Sequence, residues 1–176
     1  TQKKSERDNM DPILSELSTK INERIIPKKL TIATAESCTG GLIAHVLTLI
    51  PGASNYFIGG VVAYSNQVKQ DILGVQASTL AQFGAVSEQT AIEMAAGVRE
   101  RFNTDIGMST TGIAGPSGGT PSKPVGLVWI GFSTPEKTWA VESHFSDERH
   151  QINKKSARKA LQLLLDYLED GITRFE

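Results

Sequence analysis

Hydrophobic and polar positions along the chain follow two patterns, one typical of buried strands and the other of amphipathic helices. Apolar runs rich in β-branched residues predict five strands, at residues 30–35, 56–65, 105–110, 125–133 and 137–145. Apolar residues spaced three and four apart predict helices, at residues 12–27, 40–50, 66–73 and 78–83, from residue 88 and from about residue 148.

The order of these elements, strands alternating with helices and then a hairpin, favours an α/β fold. We expect a three-layer α/β/α sandwich on a mixed, mostly parallel sheet, with an antiparallel hairpin and a long closing helix at the C-terminal end. Pro27 is expected to end the first helix. Residues 1–9 are polar without periodicity and are interpreted as a disordered or expression-derived tail, which leaves residues 10–176 as one predicted domain.

The composition of the chain indicates which kinds of partner it is expected to bind. Eighteen Lys and Arg against nineteen Asp and Glu give a net charge of -1, so no basic surface for nucleic acid is indicated. The longest apolar run, residues 41–50, is too short to cross a bilayer, so we expect no membrane partner. A single cysteine excludes an internal disulfide, and no zinc-like Cys/His spacing occurs. These features indicate a soluble cytoplasmic protein without a metal site.

Hydroxyl side chains follow three of the predicted strands. Ser37, Tyr64 and Thr111 all fall near strand ends, where ligands bind in open α/β sheets. Any one of them can equally be a simple cap of a helix or a turn. Together they predict one crevice lined by hydroxyl groups.

Ser37 is the strongest candidate nucleophile because it lies at the start of a predicted helix, where free N–H groups favour negative charge. Gly40 and Gly41 leave room for a ligand near that backbone. Serine needs a base, and His45, mid-helix among apolar residues, is interpreted as a packing histidine.

Lys69 is the better candidate base, because burial in the same crevice would lower its pKa and free a lone pair for the serine proton. An exposed helix lysine is the alternative interpretation. Glu36, at the end of the first strand, either caps the following helix or holds the lysine. Cys38 is a rival nucleophile, since a thiol at a helix N-terminus can have a stabilised thiolate.

A loop rich in Gly and Pro, residues 111–126, is suited either to contact a nucleotide or its phosphate through backbone N–H groups or to serve as a plain connection. It matches neither the P-loop nor the dinucleotide-binding glycine pattern. Arg149, just beyond the last strand, either binds a phosphate or pairs with Asp147 or Glu148.

Four segments give the chain a resemblance to a known family. They are TAESCTGG at 34–41, VAYSNQVK at 62–69, GAVSEQT at 84–90, and TGIAGPSGG with KPVG across 111–126. With them the chain resembles the CinA C-terminal domain family, whose stand-alone members are nicotinamide-nucleotide amidohydrolases.

The resemblance implies hydrolysis of the carboxamide of nicotinamide mononucleotide to nicotinate mononucleotide and ammonia, without cofactor or metal. It implies Ser37 as nucleophile, Lys69 as base, Tyr64 in the proton network and Thr111 in polar contacts. The substrate-binding residues that it implies are Cys38, Thr39, Gly40, Gly41, Gly112, Gly115 and Arg149. It also makes a homodimer or higher homo-oligomer the expected assembly.

Two places depart from the pattern of the family, and one of them is the pair Pro121-Ser122, which replaces an acidic pair often found before Lys123. A second arginine commonly stands four residues after the first, and here that place is taken by Asn153. Two alternatives to the amidohydrolase therefore stay open: a nucleotide-binding or regulatory module with little or no activity, and a hydrolase of another small amide.

Overall fold

The structure of the protein is a computed structural model that describes residues 11–172. The predicted tail at residues 1–9 lies outside the described residues. The helices are α1 (Pro12–Lys28), α2 (Leu42–Leu47), α3 (Asn66–Leu73), α4 (Ala77–Phe83), α5 (Glu88–Phe102) and α6 (Arg149–Asp170), and a 3-10 turn lies at Ala53–Asn55. The strands are β1 (Ile32–Glu36), β2 (Phe57–Val62), β3 (Ile106–Gly112), β4 (Leu127–Ser133) and β5 (Thr138–His144).

The strands form one sheet in the order β2-β1-β3-β4-β5. β1 pairs in parallel with β2 and β3, whereas β4 is antiparallel to β3 and to β5. All described strands except β4 therefore point the same way. This confirms the predicted mixed, mostly parallel sheet with its hairpin.

Helices cover both faces of the sheet. On one face α1, α2 and α6 bury an apolar cluster with residues of β1, β3 and β4 at its centre, and residues of β2 and β5 pack against it. On the other face α3 and α5 bury a smaller cluster around Ala33 and Ala35 of β1, and Leu80 of α4 packs against it. β1 is buried along its whole length because both layers cover it. The predicted three-layer sandwich is confirmed.

Local capping groups set the helix ends. Asp11 Oδ1 accepts hydrogen bonds from the N–H groups of Ile13 and Leu14, at 3.0 and 3.4 Å, which fixes the start of α1. The prediction that Pro27 ends this helix is wrong, because Pro27 lies inside the last turn of the helix. The helix ends one residue later, where Lys29 adopts a left-handed conformation with φ 55°.

Helix α5 lies directly on the strands that end at the site. A Cβ atom on Gly107 of β3 would come within 2.2 Å of the Ala95 carbonyl oxygen, and one on Gly131 of β4 within 2.3 Å of the Ala91 oxygen. Only glycine permits this approach. The hydroxyl of Ser109 also donates to the Ala91 oxygen, at 2.6 Å, so β3 and α5 are held in fixed register.

Candidate active site

The turn between β1 and α2 presents Ser37. Its N–H donates to the Thr110 carbonyl of β3 at 2.9 Å, and its carbonyl accepts from Gly40 N–H at 3.1 Å. Gly40 and Gly41 have φ of +59° and +99°, a region in which a side chain would be strained. These two glycines therefore belong to the turn, and α2 begins at Leu42 and not at the predicted residue 40.

The start of α2 is occupied by a carboxylate of the protein itself. Glu36 is buried, and its two oxygens accept from the N–H groups of Gly41, Ile43 and Ala44 at 3.1, 3.0 and 2.8 Å. The Thr39 hydroxyl donates to the same carboxylate at 2.5 Å. Glu36 thus caps the helix, one of its two predicted roles, and these N–H groups are not available to a ligand.

Two N–H groups of the turn are left without an acceptor in another described residue, those of Cys38 and Thr39. Gly40 N–H is already bonded, and Gly41 N–H is used by Glu36. Cys38 lines the cleft that Ser37 also lines, whereas Thr39 does not, so the Cys38 N–H is the donor that a negative oxygen bound there can meet.

Lys69 reaches the serine from α3. Its Nζ lies 3.2 Å from Ser37 Oγ, 2.8 Å from the Ala63 carbonyl oxygen and 3.4 Å from the Tyr64 carbonyl oxygen. The side chain is 1% exposed. No carboxylate of the described residues forms an ion pair with it.

Burial without a carboxylate lowers the pKa of Lys69, because desolvation disfavours the charged amine. The three contacts fit a neutral amine: two carbonyl oxygens accept its two N–H groups, and its lone pair is left to accept the Ser37 hydroxyl proton. The arrangement is that of a serine paired with a lysine base.

The thiol of Cys38 is not built as a nucleophile. Its side chain is buried and belongs to the apolar cluster beneath α2 and α6. Burial raises the pKa of this thiol to about 12, so at neutral pH it is protonated. The stabilised thiolate considered from the sequence is thus contradicted, and Ser37 is the candidate nucleophile that the turn retains.

Arg149, at the start of α6, spans the open side of the site. Its Nη2 donates to the Tyr64 hydroxyl at 2.7 Å and its Nη1 to the Gly115 carbonyl at 2.8 Å. It pairs with neither predicted acid: Asp147 instead binds Lys155, at 2.9 Å. The Tyr64 hydroxyl therefore contacts Arg149, and only the carbonyl of Tyr64 contacts Lys69.

These groups line one cleft of about 260 Å³. Thr111, the last residue but one of β3, lines this cleft, and its hydroxyl donates to the Ala85 carbonyl at 2.7 Å. The cleft is lined by Ser37, Cys38, Tyr64, Asn66, Lys69, Ala85, Val86, Thr111, Gly112, Ile113, Ala114, Gly115, Ser117, Gly118 and Arg149. Arg149 supplies a cationic guanidinium to this set, Lys69 supplies the buried amine of lowered pKa, and no carboxylate is in the set.

Most residues predicted for the site meet in this cleft, but Thr39, Gly40 and Gly41 do not line it. Sequence reasoning also missed several residues of the lining, among them Asn66, Val86 and Ser117. The signal for these three was present, since they lie within the segments YSNQVK, GAVSEQT and GPSGG.

Two further residues differ from their predicted surroundings. His45 is exposed and not packed, because Ile43, Val46 and Leu47 form the buried side of the short helix α2. Asn153 lies outside the cleft lining: its amide nitrogen donates to the Cys38 carbonyl at 2.9 Å and to the Arg149 carbonyl at 3.2 Å. The orientation of the Asn153 amide is assigned from these contacts, because the reverse orientation would place its oxygen against two carbonyl oxygens.

Within residues 11–172, no three or more His, Cys, Asp and Glu side chains are grouped so that they could hold a metal ion. No helix in the same range is long and apolar enough to cross a membrane.

Comparison with known proteins gives a consistent assignment. The family model described as CinA C-terminal domain matches residues 14–168. A protein of Caldanaerobacter subterraneus subsp. tengcongensis, named for competence and damage induction, is 55% identical over 139 residues, which are 79% of this chain and 34% of that protein. A CinA-like protein of Kosmotoga olearia is 51% identical over 135 residues, 77% of this chain and 33% of that protein. The chain thus spans about one third of the length of these relatives.

Solved structures share the fold. The competence/damage inducible protein CihA from Agrobacterium tumefaciens is 41% identical with a TM-score of 0.87, over 92% of this chain and 98% of that one. The competence damage-inducible protein A from Klebsiella pneumoniae is 32% identical with a TM-score of 0.86, over 89% of this chain and 98% of that one.

Proposed function

Because the chain belongs to the CinA C-terminal domain family, we propose that it hydrolyses the carboxamide of nicotinamide mononucleotide to nicotinate mononucleotide and ammonia. The observation that carries the proposal is the contact of 3.2 Å between Ser37 Oγ and the buried amine of Lys69. A serine with a neutral amine base is equipped for acyl transfer. Such chemistry suits a carboxamide, whose nitrogen must leave.

In the first step, Ser37 Oγ attacks the carboxamide carbon while its proton moves to Lys69 Nζ. The carbonyl π electrons move to oxygen and give a tetrahedral oxyanion. The N–H group of Cys38, a residue of the cleft lining, has no acceptor in another described residue and is the donor that we assign to this oxyanion.

In the second step, the C–N bond breaks and the leaving nitrogen takes the proton from Lys69, so that ammonia departs and an ester on Ser37 remains. Lys69 is neutral again. It then takes a proton from a water molecule that attacks the ester, and returns it to Ser37 Oγ as the C–O bond breaks. The products are nicotinate mononucleotide and the free serine.

The charge of the cleft fits an anionic substrate. Its lining holds the guanidinium of Arg149 and the amine of Lys69, and no carboxylate. Lys69 is buried and is used as the base, which leaves Arg149 as the cation for the phosphate. Its fork of donors suits a phosphate, and its present acceptors are an exposed tyrosine hydroxyl and a loop carbonyl, which a ligand can displace.

The departure at Asn153 does not weaken this assignment. Asn153 faces the Cys38 and Arg149 carbonyls and is outside the cleft lining, so the asparagine leaves the residues that face a ligand unchanged.

The test is ammonia release by the purified protein from three amides: nicotinamide mononucleotide, the same nucleoside without phosphate, and free nicotinamide. We expect release from the mononucleotide and at least about tenfold lower kcat/KM for the nucleoside, since one charge-assisted contact is lost. Equal kcat/KM for all three would contradict the phosphate assignment. Release from other small amides but not from the nucleotide would contradict the substrate.

A further inference from the structure

Asn153 touches the turn that carries the nucleophile. Its amide nitrogen donates to the Cys38 carbonyl at 2.9 Å from the first turns of α6, a helix that otherwise meets the site only through Arg149. The same nitrogen donates to the Arg149 carbonyl at 3.2 Å. One amide therefore joins the serine turn to the helix turn that carries the cation of the cleft.

The bond to the Cys38 carbonyl has a consequence for the next residue. A peptide unit is planar and trans, so the Cys38 carbonyl and the Thr39 N–H point in opposite directions and turn together. Thr39 N–H is one of the two donors of the turn that have no acceptor in another described residue. A donor on the carbonyl also polarises the peptide and strengthens its N–H as a donor.

The Thr39 side chain is held independently on the other side. Its hydroxyl lies 2.5 Å from Glu36 Oε2 and 2.7 Å from Thr110 Oγ1, both in the buried network beneath the turn. The peptide between Cys38 and Thr39 is thus fixed from two directions. Without Asn153, the carbonyl of Cys38 would lose the restraint that comes from α6.

We propose that Asn153 is a positioning residue that fixes the peptide between Cys38 and Thr39, and so holds the backbone of Cys38, whose N–H group is the oxyanion donor. The proposal rests on the proposed function for its meaning in catalysis. It predicts an effect on the chemical step and not on binding, because Asn153 does not line the cleft.

The experiment compares Asn153→Ala and Asn153→Asp with the wild type. Both variants lack the amide donor, but they differ in charge, so a loss common to both assigns the effect to the donor. Gln151→Glu is the matched control: it makes the same change from amide to carboxylate in the same helix, where the Gln151 amide contacts His150 and does not line the cleft.

We expect kcat for nicotinamide mononucleotide to fall by about tenfold or more in both variants, less than the 10²–10³-fold typical when an oxyanion donor is itself removed. KM is expected to stay within about twofold, and Gln151→Glu to match the wild type. Thermal unfolding of all four proteins shows whether each is folded at the assay temperature. Unchanged kcat in both Asn153 variants, or a rise in KM alone, would overturn the proposal.

A second readout separates this proposal from the proposed function. The rate at which a fluorophosphonate labels Ser37, followed by intact mass, depends on the same turn and needs no turnover of the nucleotide. If the wild type released no ammonia, the substrate assignment would fail, and slower labelling of both Asn153 variants would still support the positioning role. Labelling at the wild-type rate would overturn it.

Discussion

Lys69 Nζ lies 3.2 Å from Ser37 Oγ although the two residues are 32 positions apart in the sequence. β1 carries the serine to the edge of the sheet, and α3, which follows the neighbouring strand β2, brings the lysine to the same edge. Because the amine is buried with two carbonyl oxygens and one hydroxyl as its partners, it is suited to remain neutral and act as a base.

Replacing this lysine by an apolar isostere separates activity from stability. Lys69→Met removes the base, so kcat is expected to fall by about 10²–10⁴-fold. The same change is expected to raise stability at pH 7. The pKa of Lys69 is lowered by burial, so the unfolded chain binds this proton more tightly and the wild-type lysine costs folding free energy below its unfolded pKa of about 10.4.

Urea unfolding at pH 7 and at pH 9.5 measures this effect. The stability advantage of Lys69→Met should shrink as the pH rises towards the unfolded pKa, because both states of the wild type then lose the proton. Lys159→Met, at an exposed position of α6, is the control and should show no such trend. If the gain in stability of Lys69→Met over the wild type were smaller at pH 7 than at pH 9.5, the lowered pKa of Lys69 would be contradicted.

The pH profile of turnover follows from the same lowered pKa. kcat/KM should rise with pH as Lys69 loses its proton, with a midpoint below the ordinary lysine value of about 10.4. Rates of ammonia release between pH 6 and pH 10 measure it. A midpoint at the ordinary lysine value would mean that Lys69 is not the group that titrates.

The cysteine next to the nucleophile is expected to be dispensable. Burial raises the pKa of Cys38 to about 12, so the native thiol should not react with a disulfide reagent at pH 8 but should react after unfolding. Cys38→Ala should keep kcat within about threefold of the wild type, since only its backbone N–H is assigned a role. Loss of activity in a folded Cys38→Ala protein would make the thiol essential and contradict the assignment.

Arg149 is expected to act in binding. Arg149→Lys keeps the charge but loses the fork of donors, so KM for the mononucleotide should rise by about 10–100-fold with a smaller change in kcat. KM for the nucleoside without phosphate should change little. Tyr64→Phe, which removes one acceptor of this arginine, is the milder comparison. An equal rise in KM for both substrates would place the phosphate elsewhere.

Glu36 is expected to matter for folding, since its carboxylate accepts three backbone N–H groups at the start of α2. In Glu36→Gln an NH₂ group replaces one accepting oxygen and faces N–H donors, which should lower the free energy of unfolding by about 1–3 kcal/mol. Urea unfolding measures this, with Glu100→Gln on the exposed side of α5 as control. Equal stability of the two variants would contradict the capping role.

Sequence periodicity predicted the three layers of the sandwich, its strands and the antiparallel hairpin, because the spacing of apolar residues decides which faces are buried. It also placed Ser37, Tyr64 and Thr111 at one edge of the sheet, since strand ends of one direction meet there. It missed the exposure of His45, because a helix as short as α2 buries so few positions that the apolar neighbours of His45 do not imply its burial.

Roles that depend on long-range contacts were not predictable in the same way. Glu36 had two possible roles, and the tertiary structure decides for the cap because the N–H groups of α2 come within reach of its oxygens. The contact of Asn153 with Cys38 joins two residues that are far apart in the sequence. Nothing in local spacing indicates which carbonyl an amide will meet.

The role of Ser37 as nucleophile is tested most directly by turnover of nicotinamide mononucleotide in the wild type and in Ser37→Ala. Circular dichroism shows whether both proteins are folded, and both are assayed for ammonia and nicotinate mononucleotide. We expect the wild type to form the two products in equal amounts and Ser37→Ala to lose at least about 10³-fold in kcat. Undiminished turnover by Ser37→Ala, or no turnover by the folded wild type, would contradict it.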